Sequence, residues 1–144
     1  MTFVDSSFWI AIRNDRDQYH RRAIEWLGDP DGGPLVTTNQ VRGETWTFLR
    51  RRVGHPSASQ FLATLERSRR TRVVFVSEEM EADALRWLRK HDERPYSFVD
   101  ATSFVIMREA RLTHALTTDT HFRQMGFQVL PGPSGRAPRK PRRS

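Results

Sequence analysis

The chain has 144 residues, 37% of them hydrophobic, and a formal net charge of +7. This length and composition predict one compact domain with its own hydrophobic core. The sequence contains no cysteine, which excludes disulfides, thiolate metal sites and cysteine nucleophiles. The five histidines show neither HxH nor HExxH spacing. Any metal is therefore expected to be a hard cation bound by oxygen ligands.

The two ends of the sequence differ in charge. An acid at residue 5 and the lack of an apolar run of about 20 residues argue against a signal peptide or a membrane span, so we expect a cytoplasmic protein. Five basic residues and no acid lie in the last nine residues, leaving 19 basic and 17 acidic residues elsewhere. We expect a folded domain at residues 1–131 and a disordered basic tail at residues 132–144. The tail either only solubilises the chain or attracts RNA phosphate.

Strand and helix patterns alternate along the chain. Short apolar or β-branched runs predict strands at residues 2–4, 35–37, 72–76, 115–117 and 128–130. Helices are predicted over residues 20–27 and, after a stop at residues 54–56, over residues 57–69. Another helix is predicted to begin after a cap at Asn39 and to carry Val41, Thr45, Phe48 and Arg52 on one stripe. Two more are predicted to begin at Ser77 and Ser97. Strands separated by helices are typical of a parallel sheet. We therefore predict a three-layer α/β/α domain with a central parallel sheet of four to five strands.

Four acids stand where such a sheet binds ligands. Asp5 and Asp119 each follow a short strand, whereas Glu44 and Asp100 lie in the opening turns of two helices. Ligands of open α/β sheets bind beyond the carboxyl ends of the strands, so these acids can converge. Glu44 and Asp100 have no basic neighbour three or four residues away and stand among residues predicted to be buried, where an unpaired carboxylate is costly. A bound Mg²⁺ or Mn²⁺ would remove that cost.

Each acid also has a purely structural interpretation. Most aspartates and glutamates form surface ion pairs or cap helices, and Asp5 and Asp119 can each cap the helix that follows. For either residue alone, the cap and the catalytic hypothesis are equally supported. Only the set of four favours a metal site.

Other enzymes with acids at strand ends fit less well. A phosphatase of the haloacid dehalogenase type needs Asp-x-Asp after its first strand, but Asp5 is followed here by two serines. A receiver domain needs a lysine after a late strand, and neither Lys90 nor Lys140 is so placed. No Ser-His or Cys-His nucleophile can be assembled.

The chain resembles the PIN-domain nucleases and, among them, the VapC toxins of bacterial toxin–antitoxin pairs. The likeness rests on four motifs in order and extends to about Leu130: FVDSSFWIAI at 3–12, TTNQVRGETWTFL at 37–49, SFVDATSFVIM at 97–107 and ALTTDTHFRQMGF at 115–127. The resemblance implies a PIN-like, Rossmann-like fold. It also implies that the metal-binding catalytic residues are Asp5, Glu44, Asp100 and Asp119, supported by the hydroxyls of Ser7 and Thr117. Some members carry a further acid at the position of His121, so the number of metals stays open.

A toxin of this kind would be a metal-dependent endoribonuclease that uses carboxylate-bound Mg²⁺ or Mn²⁺ and activated water. The resemblance further implies an RNA substrate, a VapB-type antitoxin whose extended segment can cover the acidic cleft, and a homodimer. Trp9, Trp26 and Trp46 are candidates for these contacts, although we expect at least two of them in the core. His121 either assists proton transfer or is a surface or capping residue. The alternative function is a non-catalytic module of the same fold that binds RNA or a partner.

Overall fold

The computed structural model describes residues 1–130, and the predicted domain end at 131 and basic tail at 132–144 lie outside the described residues. The described strands are β1 (Thr2–Val4), β2 (Leu35–Thr38), β3 (Thr71–Val74), β4 (His114–Leu116) and β5 (Gln128–Leu130). The described helices are α1 (Ser6–Arg13), α2 (His20–Leu27), α3 (Asn39–Arg52), α4 (His55–Arg67), α5 (Glu78–Lys90), α6 (Phe98–Glu109) and α7 (Thr120–Gln124).

All strand pairings are parallel, and the strands lie in the order β3-β2-β1-β4-β5. In β1, Phe3 is paired with Val36 of β2 on one side and with Ala115 of β4 on the other. The chain therefore builds outward from β1 to β3 and then returns to place β4 beside β1. This reversal between β1 and β4 is the position at which open α/β sheets bind ligands. The predicted parallel sheet is confirmed.

The helices form a layer on each face of the sheet. Crossovers between parallel strands are right-handed, so the change of direction after β3 moves the later helices to the opposite face. In the first half, α1 contacts α2 and α3, and α3 contacts α4, whereas α5 packs against α6 after the reversal. The predicted three-layer α/β/α architecture is confirmed. Among residues 1–130, no helix combines the length and the apolarity that crossing a bilayer requires.

Two tryptophans are part of the core. Trp9 is 5% exposed and Trp26 is 2% exposed, so the expectation that at least two tryptophans are buried is confirmed. Trp46 is partly buried, and its ring lies edge-on to His55 at 5.8 Å. Trp9 and Trp26 are therefore not available for contacts with a partner.

A buried aromatic cluster anchors the short helix α7. Phe122 of α7 packs between Phe3 of β1, with ring centroids 6.0 Å apart, and Phe104 of α6, with centroids 5.0 Å apart. All three rings are almost inaccessible to solvent. Because aromatic pairs of this kind contribute beyond their buried area, the cluster fixes the start of α7 relative to β1 and α6.

Two predicted helix starts agree with the structure. The Ser77 hydroxyl accepts a hydrogen bond from the N–H of Met80 at the start of α5. At the start of α6, the Ser97 hydroxyl accepts from the N–H of Asp100 at 2.9 Å, and Asp100 Oδ2 accepts from the N–H of Ser97 at 3.0 Å. This reciprocal pair is a capping box, with aspartate at the position that glutamate usually occupies.

The predicted cap at Asn39 is wrong, and the next helix begins earlier than predicted. Thr38 caps α3, because its hydroxyl accepts from the N–H of Val41 at 3.0 Å. Asn39 lies in the first turn, and its side chain accepts from the N–H of Val76 at 2.8 Å, a tertiary contact. Helix α4 begins at His55, since the fixed φ of Pro56 suits a first turn.

The predicted stripe of α3 agrees only in part with its buried face. Its buried residues are Val41, Thr45 and Leu49, whereas Phe48 is 39% exposed. The Thr45 hydroxyl donates to the carbonyl oxygen of Val41 at 2.7 Å, which allows a polar side chain to occupy a core position. The buried stripe therefore passes through Leu49 and not through Phe48, and both Phe48 and Arg52 are exposed.

Candidate active site

Asp5 lies at the reversal point of the sheet, directly after β1, and is 4% exposed. Its Oδ2 accepts hydrogen bonds from the hydroxyls of Ser7 at 3.0 Å and Thr117 at 2.9 Å. The Ser7 hydroxyl also accepts from the N–H of Thr118 at 2.9 Å. Since β1 and β4 are neighbours, residues more than 100 positions apart in the sequence meet at this carboxylate. The structure thus brings Ser7 and Thr117 to Asp5.

Asp100, Asp119 and His121 form a second group beside Asp5. One ligand atom of each residue lies within 4.8 Å of the other two. His121 Nδ1 is 3.0 Å from Asp100 Oδ2 and 3.4 Å from Asp119 Oδ1. The His121 ring also packs against Tyr96, with ring centroids 5.0 Å apart, which fixes the orientation of the imidazole. Tyr96 was not identified from the sequence, because it contributes only packing and belongs to no motif.

Glu44 reaches the site from α3, but it is exposed, so the expectation that it is buried is wrong. It lies in the second turn of α3, beyond the capped first turn. Within residues 1–130, no ion pair involves Glu44. Its position near the other acids is evident from electrostatics, since the charges of Asp5, Asp100 and Asp119 all act on it. Glu44 therefore forms the accessible rim of the site.

Two of the four carboxyl groups, those of Asp5 and Glu44, have raised pKa values. Burial raises the pKa of Asp5 to about 6, and repulsion from Asp100 adds to this, against the opposing effect of the Thr117 and Ser7 hydroxyls. Desolvation of the Glu44 carboxyl group by the surrounding protein, together with repulsion from Asp5, raises its pKa to about 7. Unpaired carboxylates in such surroundings favour a proton or a cation.

The structural interpretation holds for two of these acids as well. Asp119 caps α7, because its Oδ1 accepts from the N–H of His121 at 2.9 Å, and Asp100 completes the capping box of α6. Asp5 occupies the N-cap position of α1 but makes no side-chain capping hydrogen bond. A capping bond occupies one lone pair, so Asp100 and Asp119 retain acceptor capacity for a cation. Capping and metal binding are thus compatible at these residues.

Comparison with known proteins agrees with this geometry. The model of the PIN domain family matches residues 2–128, nearly the entire described chain. The chain belongs to the PIN-domain family. This PIN domain is 46% identical over 129 residues to the 23S rRNA-specific endonuclease VapC20 of Mycobacterium tuberculosis, strains CDC 1551 / Oshkosh and ATCC 25618 / H37Rv. That alignment covers 88% of this chain and 95% of the relative.

Solved structures give the same result. The crystal structure of Mycobacterium tuberculosis VapC20, described as a Sarcin-Ricin loop cleaving toxin, has a TM-score of 0.80 and 43% identity to this PIN domain. The match covers 88% of this chain and 96% of that chain. FitAcB from Neisseria gonorrhoeae has a TM-score of 0.60 at 15% identity, covering 90% and 96% of the two chains, and shares the fold. The resemblance to PIN-domain nucleases of the VapC type is confirmed.

Proposed function

We propose that this PIN domain is a metal-dependent endoribonuclease that acts as the toxin of a bacterial toxin–antitoxin pair. The observation that carries the proposal is the group formed by Asp100, Asp119 and His121, whose acids also act electrostatically on Asp5 or Glu44. VapC20, at 46% identity, is a 23S rRNA-specific endonuclease. We therefore propose ribosomal RNA as the substrate class, which also implies a cytoplasmic location.

The donor set fits a divalent cation. The pKa values of Asp5 and Glu44 are raised, mainly by desolvation and further by repulsion from the neighbouring acids. Within residues 1–130, the only ion pairs of these acids are those of Asp100 and Asp119 with His121. Carboxylate oxygens are preferred ligands of Mg²⁺ and Mn²⁺. We propose that Asp100 and Asp119 bind the cation, with Asp5 and Glu44 completing the site.

Each residue has a defined task in this proposal. A bound divalent cation would lower the pKa of water and neutralise charge on the phosphate. The hydroxyls of Ser7 and Thr117 hold the Asp5 carboxylate in one orientation, so it need not reorganise during the reaction. Glu44, at the accessible rim, is the acid that meets the incoming substrate first.

Purified protein tests this function directly. We expect Mg²⁺ or Mn²⁺ to stimulate cleavage of ribosomal RNA and a chelator to abolish it, because the cation would activate the attacking water and neutralise charge on the phosphate. The positions of new RNA 5′ ends, determined by sequencing, would identify the cleaved loop. RNA that is bound but stays intact at every metal concentration would instead establish the non-catalytic alternative.

His121 gives the site a testable metal preference. The imidazole nitrogen lies with the two carboxylate oxygens and suits Mn²⁺ better than Mg²⁺, which prefers oxygen. We predict that His121→Ala weakens Mn²⁺ binding by about tenfold or more while changing Mg²⁺ binding less. Electron paramagnetic resonance of Mn²⁺, with Mg²⁺ as competitor, measures both affinities without any cleavage assay.

The matched control is His55→Ala, because His55 is an exposed histidine of α4 outside the acidic site. It should leave the affinities for both metals unchanged. If His121→Ala reduces the two affinities equally, His121 only orients Asp100 through their 3.0 Å hydrogen bond.

We also propose a VapB-type antitoxin and a homodimer as partners. An acidic cleft whose rim is accessible can accept a basic side chain from an extended segment. Co-expression with the product of a neighbouring small gene, followed by mass measurement of the purified complex, would identify both assemblies.

A further inference from the structure

An open groove of about 590 Å³ runs along α3 from Asn39 to Arg52 and includes Glu44 of the acidic site. Its walls include Phe48, Arg51 and Arg52 of α3 and Val99 of α6. Phe48, Arg51 and Arg52 follow Glu44 by four, seven and eight positions, so each lies on the same side of α3 as Glu44. The arginines thus lie roughly 10–12 Å along the helix from Glu44. A single extended ligand can contact both ends.

The far end of the groove has the chemistry that binds a phosphate backbone. Arg51 and Arg52 are exposed, and neither forms an ion pair with an acid within residues 1–130. Guanidinium groups bind phosphate oxygens in a bidentate manner. Between the arginines and Glu44, Phe48 is 39% exposed, although phenylalanine is usually buried. An accessible aromatic ring is a surface on which an unpaired base can stack.

Gly43 leaves open space in the groove beside Glu44. It lies within α3, where glycine destabilises a helix relative to alanine. A Cβ atom at this position would meet no atom within 4 Å, so packing does not require the glycine. Gly43 itself lines the groove beside Glu44. The missing side chain therefore preserves free space next to the acidic site.

We propose that this groove binds a single-stranded segment of the RNA substrate that flanks the cleaved phosphodiester. In this arrangement Arg51 and Arg52 bind the backbone, and Phe48 stacks on a base. The proposal rests on the proposed ribonuclease function and specifies how the substrate strand enters. The observations favour RNA over a protein partner because Arg51 and Arg52, which form no ion pair within residues 1–130, line the same groove as Glu44 of the acidic site.

The experiment measures RNA binding separately from cleavage. A fluorescein-labelled single-stranded oligoribonucleotide is titrated with the full-length protein in chelator, and its anisotropy is recorded at several salt concentrations. We expect the double variant Arg51→Ala/Arg52→Ala to weaken binding by about tenfold or more. It should also lower the slope of log affinity against log salt by roughly 0.7 for each lost phosphate contact. Phe48→Ala should weaken binding by about tenfold with the salt slope unchanged.

Arg50→Ala is the matched control, because Arg50 is an exposed arginine of the same helical turn that does not line the groove. Gly43→Leu is an independent probe. It should raise the Tm, since glycine is replaced within a helix, and lower RNA affinity, since the side chain enters the groove. Neither effect depends on removing a charge.

The outcomes separate the groove from the catalytic proposal. If the double variant and Gly43→Leu bind RNA as the Arg50→Ala protein does, the groove is not the path of the strand. If these changes instead alter the oligomeric mass while RNA affinity stays constant, the groove is a protein interface and the proposal is overturned. If RNA binding depends on the groove but metal never induces cleavage, the groove is supported as an RNA-binding site and the proposed ribonuclease function is wrong.

Discussion

Asp100→Asn and Asp119→Asn are expected to remove most RNA cleavage while leaving the metal-free fold at least as stable as the wild type. Even partners of metal ligands contribute 10- to 100-fold to affinity or activity, so loss of a ligand should reduce cleavage by about 100-fold or more. Asparagine caps a helix as well as aspartate does, so the cap of α7 survives the change. Loss of the Asp100 charge also relieves the repulsion that acts on Asp5 and Glu44.

Melting curves with and without metal separate the two roles of these acids. For the wild type, an ion at 100 times its dissociation constant adds about 2.7 kcal/mol, which corresponds to roughly 10 °C in Tm for a chain of this size. The two asparagine variants should show a much smaller rise. The exposed Asp92 provides a control: Asp92→Asn should respond to metal as the wild type does.

The opposite pattern would contradict the metal site. If both asparagine variants melt well below the wild type in chelator and still gain full stability from metal, Asp100 and Asp119 act only as helix caps. Their hydrogen bonds to the N–H groups of Ser97 and His121 would then account for both residues.

Local signals in the sequence were sufficient for most of the fold. Short β-branched runs gave the strands, and serine caps gave the starts of α5 and α6, because these features depend on residues within one turn of each other. The start of α3 was missed because Thr38 and Asn39 are both good caps. The Asn39 side chain accepts a hydrogen bond from the N–H of Val76, which leaves Thr38 as the cap. Val76 is distant in the sequence, so no local pattern contains this contact.

The sequence predicts the four acids as a set, but it does not predict their individual environments. Strand order places Asp5 beside Thr117, and strand order is a property of the whole sheet. The exposure of Glu44 and of Phe48 follows from the rotation of α3, which buries Val41, Thr45 and Leu49. Both Phe48 and Leu49 can follow Thr45 on a helical stripe, since they lie three and four positions after it, so the sequence pattern placed Phe48 on the stripe and the groove was not predicted.

Asp5→Asn should stabilise the metal-free protein at high pH and have little effect at low pH. The pKa of Asp5 is about 6 in the folded protein against an ordinary value of 3.8, so the folded state retains a proton that the unfolded state has lost. The free energy of unfolding therefore falls as the pH rises from about 4 through about 6. This pKa difference amounts to about 3 kcal/mol for the buried Asp5.

Glu44 should act in the same direction. Its pKa is raised from 4.5 to about 7, which extends the loss of stability towards neutral pH, although solvent screens this exposed residue. Asparagine at position 5 has no proton to lose and keeps an oxygen that accepts from the hydroxyls of Ser7 and Thr117. The variant should therefore not undergo the loss of stability that ionisation of Asp5 causes, while it retains the local hydrogen bonds.

The measurement is urea unfolding of wild type and Asp5→Asn in chelator at intervals from pH 4 to pH 8, with Asp92→Asn as the control. The difference in unfolding free energy between Asp5→Asn and wild type should grow from near zero at pH 4 towards about 3 kcal/mol at pH 8. With saturating Mg²⁺ or Mn²⁺ it should change sign at high pH, because ligands bind metal in their ionised form. A difference that is constant with pH in chelator would mean that the Asp5 carboxylate is not destabilised by its surroundings. The main electrostatic reason for a cation at this site would then be lost.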